Sequence, residues 1–321
     1  MRSRTLRTPE DLLALVPTLF GFGPTESLVV IGIGGDPGVH ARVDLPDDAD
    51  AAEQAAESFV TALARVECGR ACLVAYAADS SAAREAVAAV AARLDEAGVR
   101  VEVGMRTDGA RYALLFADGA EGTEVPYDVA GHPLIAEAVY EGRVLHHDRE
   151  ALAATLVPDP TAVAAVETAA HRYLDRLGMG RDADAEVRWT SHTVRKHLEA
   201  GTVPGPSETG RLLVAMAVDL RARDALWVET DRESAAAVVD LTRHLACSAP
   251  ADLRAAPAAL LAFAAWLAGD GALAWCGLDV CQQVRPDYSM AGLVAHALEK
   301  GLPPTVWAAM SRADLGVPGL G

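Results

Sequence analysis

A chain of 321 residues, 51% of them hydrophobic, has the length for about two domains and the apolar material for a sizeable core. Asp and Glu number 45 against 28 Lys and Arg, and the resulting charge of −17 disfavours nucleic acid and anionic membranes as partners. Five Cys with no C-x-x-C pair argue against a disulfide scaffold and for reduced thiols in a cytoplasm.

The first stretch, MRSRTLRTPEDLLALVP, reaches Pro9, Glu10 and Asp11 before any apolar run, so it does not read as a signal peptide. Leu12 to Ile33 is the most apolar window, but Pro17, Gly21, Gly23, Pro24 and Glu26 interrupt it, and it is too broken to span a bilayer. Thr8-Pro9-Glu10-Asp11 is instead a helix start: a hydroxyl cap, Pro at the first helical position, and two acids at the positive end of the dipole. That helix should run to about Phe20. Ser27 to Ile33 then reads as a buried strand and His40 to Leu45 as a half-exposed one, joined through Gly34-Gly35-Asp36-Pro37-Gly38 as a hairpin.

An Ala-rich helix over 49–67, a strand over 70–77, a helix over 80–97, an alternating strand over 99–105 and a strand over 111–117 complete the pattern. Their order predicts an α/β domain over residues 5–145: a mixed five-stranded sheet covered by helices, with the helix-linked strands parallel. Residues 118–133 form a polar, Gly-rich loop, and this loop and the turn at Phe22 to Ser27 are the pieces expected at a binding site. After Arg149 the strand signal vanishes, and helices are predicted over 150–156, 159–177, 184–200, 207–223, 231–246, 252–268, 271–284, 289–299 and 304–312. The second domain, 146–314, is therefore all-α, with a disordered tail over 315–321. Within it, Ala256–Tyr288 has the rhythm of a single tetratricopeptide-like hairpin, turned by Gly269-Asp270-Gly271.

No stretch carries a strong catalytic signature. Gly32-Ile33-Gly34-Gly35 follows a strand but leads to another strand, so no helix dipole awaits a phosphate. His146-His147-Asp148 has metal-ligand chemistry without metal-ligand spacing, and the Cys68/Cys72 and Cys276/Cys281 pairs read as buried thiols. Neither a metal nor a cofactor is expected. Glu26, Ser27, Arg42 and Asp44 are candidate binding residues at the sheet edge; Arg223, Asp224 and Asp270 are candidates in the helical domain, where an ion pair and a helix cap are the simpler roles. The segment 188–198 is locally basic, and Arg188, Arg195 and Lys196 would face DNA if it acted as a recognition helix.

Two separated motifs resemble the actinobacterial domain of unknown function 4192 family. LRTPEDLLALVPTLFGFGPTESLVVIGI with ARVDLP carries the first; LRARDALW, APAALLAFAAWLAGDGALAWCGLDVCQQVRPDYSMAGLVAHAL and GLPP carry the second. The resemblance covers nearly the whole chain, is weakest over 155–205, and implies no assigned activity. In that family the segment after the fourth strand often has a Trp-rich stretch and several Cys before Gly-x-Pro-Leu. Here Arg111, Tyr112 and Gly131-His132-Pro133-Leu134 remain, but no Cys does.

The sequence thus points to a cytoplasmic, non-catalytic module that binds a protein or small ligand at the junction of its two domains, with homodimerisation open. Its rivals are an enzyme with an acidic site at the sheet edge and a DNA-associated regulator using the basic helix.

Overall fold

The computed structural model describes residues 6–34, 38–116, 118–177, 182–307 and 315–317. The chain divides into two compact units, residues 1–149 with 299–302 and residues 150–298 with 303–321. The first unit holds, in order, α1 (Pro9–Phe20), β1 (Ser27–Gly32), β2 (His40–Asp44), α2 (Ala49–Ala64), β3 (Arg70–Tyr76), α3 (Ser80–Glu96), β4 (Arg100–Thr107), β5 (Arg111–Leu115), β6 (Val125–Pro126) and α4 (Pro133–Tyr140). The strands make one sheet in the order β2-β1-β3-β4-β5-β6. Only β3 and β4 pair in parallel; the other neighbours are antiparallel.

The mixed sheet covered by helices matches the expectation, with one correction. Five strands were expected and six are present, because Val125 and Pro126 pair with Tyr112 and Arg111. A two-residue strand has no period to read, and Pro suits a sheet edge because it cannot donate to a ladder.

Alternation of side chains places apolar residues on both faces. Leu28, Val30, Ala71, Leu73 and Ala75 pack with Phe59 and Leu63 of α2 and Val87, Val90 and Leu94 of α3. Val29, Ile31, Cys72, Val74, Tyr76 and Met105 instead pack with Leu12, Leu13, Leu15 and Val16 of α1. Burial on two sides is why β1 reads as an unbroken apolar run. The strand β4 departs from simple alternation: Ala71 pairs with Val101 but Cys72 pairs with Val103, so Glu102 is an extra residue and a bulge. Val101 accordingly borders the α2/α3 layer and Val103 the α1 layer.

The start of α1 has the expected Thr8 cap, and Asp11 completes it as a capping box. The Asp11 N–H donates to Thr8 Oγ1 at 3.2 Å and the Thr8 N–H donates to Asp11 Oδ2 at 3.0 Å. Its far end stops at Gly21, whose φ of 75° is cheap only without a Cβ.

The second unit is built from α5 (Arg149–Ala154), α6 (Pro160–Leu177), α7 (Ala183–Ala200), α8 (Pro206–Val218), α9 (Leu220–Trp227), α10 (Ala235–Ser248), α11 (Ala255–Ala268), α12 (Gly271–Val284) and α13 (Ser289–Glu299), with no strand among its described residues. At its centre α11 is buried from Ala255 to Leu267. A helix buried on every side reads as uniformly apolar, as AAPAALLAFAAWLA does. Its partner α12 approaches closely at Gly277, where a Cβ would meet Ala258 O and Ala262 N at 3.1 Å.

Three expectations need correction here. The single helix predicted over 207–223 is two, because Asp219 takes an extended backbone and its carboxylate accepts the Arg221 N–H at 2.9 Å, capping α9. The helix predicted over 304–312 is a short 3-10 turn at Pro304–Val306, and 308–312 lies outside the described residues. The tail predicted disordered from 315 begins with packed residues: Leu315 and Val317 are buried against Val187, Ala215, Ala222 and Ala225. Their apolar side chains gain by covering small residues that Ala-rich helices leave accessible. The tetratricopeptide-like reading of the α11–α12 hairpin stays a matter of rhythm.

Candidate functional site

The strand register gathers Glu26, Ser27, Arg42 and Asp44 at one end of the sheet. Ser27 opposes Asp44 across β1 and β2 and Tyr76 across β1 and β3, while Arg42 opposes Val29. Arg42 Nε donates to the Ser27 hydroxyl at 2.9 Å, and its Nη2 lies 2.8 Å from Asp44 Oδ1. Glu26 is at φ 39°, left-handed territory that a residue with a Cβ enters at a cost of about 1–2 kcal/mol. Its carbonyl accepts the Leu45 N–H at 2.9 Å and its carboxylate the Ala78 N–H at 3.2 Å. Both bonds hold the chain where it enters the sheet, which gives the strained residue a structural task.

Along the same sheet end runs a second group that the sequence did not flag. The Arg106 side chain, near the end of β4, is only 4% exposed. Its Nε donates to Glu121 Oε1 at 2.8 Å and its Nη2 pairs with Glu124, while Arg111 Nε lies 3.2 Å from Glu124. Burial works to lower the guanidinium pKa, yet the hydrogen bonds it donates to both glutamates raise it, so the charge stays. Next to it, Thr107 Oγ1 donates to the Tyr127 hydroxyl at 2.9 Å. Tyr112 donates to Glu10 at 2.9 Å, and His132 meets Asp11 at 3.1 Å. The loop 118–133 is thus tied to the sheet by Glu121, Glu124 and Tyr127 and to α1 by His132, and to it belong the exposed Asp118 and Asp128. Phe116, 54% exposed, and Val125 are apolar side chains open to solvent beside these ties.

In the second unit the candidates are separated. Arg223, buried, donates from Nε to Asp224 Oδ1 at 2.7 Å, and its guanidinium stands 5.8 Å from the Trp227 ring centre and 5.9 Å from that of Tyr288. Burial pulls its pKa down, but the bonds to Tyr288 and Asp224 prevail and raise it. Asp270 caps α12 by accepting the Leu273 N–H at 2.9 Å. On α7, Arg188 reaches Asp182 at 3.4 Å and Lys196 reaches Glu208 at 2.7 Å, and Arg195 lines an open depression with His192, Lys196 and Glu199. Two of the three cations proposed for DNA are therefore committed to carboxylates.

The remaining motifs hold structural positions. After Gly32 closes β1, Gly34 takes φ 85°; residues 35–37 lie outside the described residues. The His146 backbone bridges that of Phe22, with its N–H on Gly21 O at 2.7 Å, and His147 is exposed beside Asp148 at 3.0 Å. All five cysteines are free, and burial pushes the Cys72 and Cys281 thiols up to about 11. Among the described residues no group of three or more His, Cys, Asp or Glu could hold a metal, and no helix is long and apolar enough to cross a membrane.

Comparison with curated proteins and with solved structures finds no significant match. A family model does match, over residues 9–305, and it spans both the α/β unit and nearly all of the helical one. The chain belongs to the family described as domain of unknown function DUF4192.

Proposed function

We propose that this protein is a non-catalytic binding module, and that its recognition surface is the loop 118–133 with the adjoining end of the sheet, offered to a basic protein partner. The observation that carries this reading is Arg106: a buried guanidinium whose two glutamate partners both come from that loop. An internal ion pair adds to the β6 pairing and to the packing of Tyr127 and Val129 in fixing the shape of this Gly-rich segment. Loops held on a rigid sheet are where recognition concentrates. Around the anchor the surface is acidic, with Asp118, Glu121, Glu124 and Asp128, and carries Phe116 and Val125 as apolar contacts. The enzyme reading is weakened because Glu26, Asp44, Asp224 and Asp270 are each engaged with an N–H or a guanidinium of the fold.

Affinity capture from native extract tests this with wild-type protein and the Phe116→Asp/Val125→Asp variant, both checked for native circular dichroism. A protein retained by the wild type and lost by the variant is the expected outcome. Equal retention by both, or none by the wild type, contradicts the reading.

A further inference from the structure

The sheet ends on β2, which among the described residues pairs only with β1. The direction of its free hydrogen-bonding groups follows from two bonds: the Leu45 N–H donates to Glu26 O and the Gly32 N–H to Val39 O, both at 2.9 Å. Antiparallel pairs alternate between bonded and non-bonded positions, so residues 39, 41, 43 and 45 point their main-chain groups at β1. His40, Arg42 and Asp44 point theirs away from the sheet. We infer that this edge is an interface with a second copy of the chain, two β2 strands pairing antiparallel about a two-fold axis at Val43.

Charge selects that register. Centring on Val43 puts Arg42 directly opposite the partner's Asp44, and its symmetry mate does the same, with both residues in bonded positions, so that the Arg42–Asp44 pair already present within each chain at 2.8 Å becomes part of a four-charge row. Centring on Arg42 would oppose two guanidinium groups, centring on Asp44 two carboxylates, and centring on Ala41 would set His40 against Arg42. Opposite charges across a strand pair stabilise it, and like charges oppose it. On the other face the Val43 register sets Val43 against Val43 and Ala41 against Leu45. Those side chains are the half-buried border of the core layer formed with α2 and α3, so the second copy would continue that layer. Charged residues on an edge strand commonly keep copies apart; here their two-residue spacing makes the edge self-complementary. The pairing needs no residue of the loop 118–133, so it stands or falls independently of the binding reading.

The test is sedimentation of the full-length protein, with Arg42→Asp and Asp44→Arg examined singly and mixed. The wild type should be a dimer, and each single variant should bind itself at least about tenfold more weakly, because both symmetry-related pairs become like-charged. Mixing the two variants should restore dimers, since each then presents the charge the other lacks. Amide exchange on the wild type gives a second readout that needs no folded variant: the Arg42 and Asp44 N–H groups should be protected at high concentration and lose protection on dilution. A monomeric wild type, single variants that dimerise unchanged, or edge amides exchanging freely at high concentration would overturn the inference.

Discussion

The two units use apolar residues in different ways, and the difference explains where polar chemistry collects. In the first, a sheet separates two apolar layers, and a sheet has ends: Asp44, Ser27 and Thr107 lie in one row where the strands stop, with Arg106 beside them, and there Ser27, Thr107 and Arg106 are buried polar groups. In the second, α11 is buried from Ala255 to Leu267, and at Gly277 the backbone of α12 packs directly against it. Buried ionisable groups there sit in separate networks on different helices, Arg223 with Asp224, Glu186 with Arg211, and His197 with Glu208. A layered sheet concentrates charge at one place; a packed helix disperses it.

The largest effect expected from breaking this arrangement is in the apolar layer itself. Phe59→Ala removes a fully buried ring between α2 and the sheet and should cost about 3–5 kcal/mol, measured by denaturant unfolding. Next is Arg106→Ala, which strands Glu121 and part of Glu124 and should cost about 3 kcal/mol, somewhat less than a fully buried pair because Glu124 is half exposed. Gly277→Ala attacks the other unit: its Cβ would lie 3.1 Å from two backbone atoms of α11, and about 1–3 kcal/mol of overpacking should lower the melting temperature. An unchanged melting temperature would mean that the hairpin is looser than described.

Acid should weaken both units by the same mechanism. The N–H groups of Arg7 and Thr8 hold the Asp11 carboxyl below its usual range, and Lys196 does so for Glu208. A lowered folded-state pKa gives stability that is present above the unfolded value and lost as pH falls through the folded one. Stability should therefore decline as pH drops through the ordinary carboxylate values of 3.8 and 4.5, and Asp11→Asn should flatten part of that decline in a pH series of denaturation curves. The smallest signal is chemical. With thiols pushed up to about 11, Cys72 and Cys281 should resist a thiol reagent at pH 8 in the native protein and react once unfolded. Rapid native labelling of either would contradict the burial described.

Much of this fold could be read from the residues because local chemistry and tertiary structure agree. The Asp270 cap and the flanking glycines set α12, and Thr8-Pro9-Glu10-Asp11 set α1, at the expected places. What escaped was chemistry that only three dimensions create. Asp219 looks like a polar helix residue until its own backbone breaks the helix and its side chain restarts it. Arg106 lies just past the alternating strand expected over 99–105, and its glutamates lie 15 and 18 residues away, so no local pattern marks it. The one sequence signal was two Glu in a Gly-rich loop. Glu26, Ser27, Arg42 and Asp44 were legible as a group because a short hairpin brings them together, whereas Arg223, Asp224 and Asp270 share a unit without forming a cluster.

The most direct test of the polar sheet end is amide hydrogen exchange on Arg106→Met beside the wild type. Protection should fall across residues 118–127, whose anchor is gone, and persist along α11. If that loop exchanges identically in the two proteins, Arg106 does not hold it, and the surface proposed for recognition loses its physical basis.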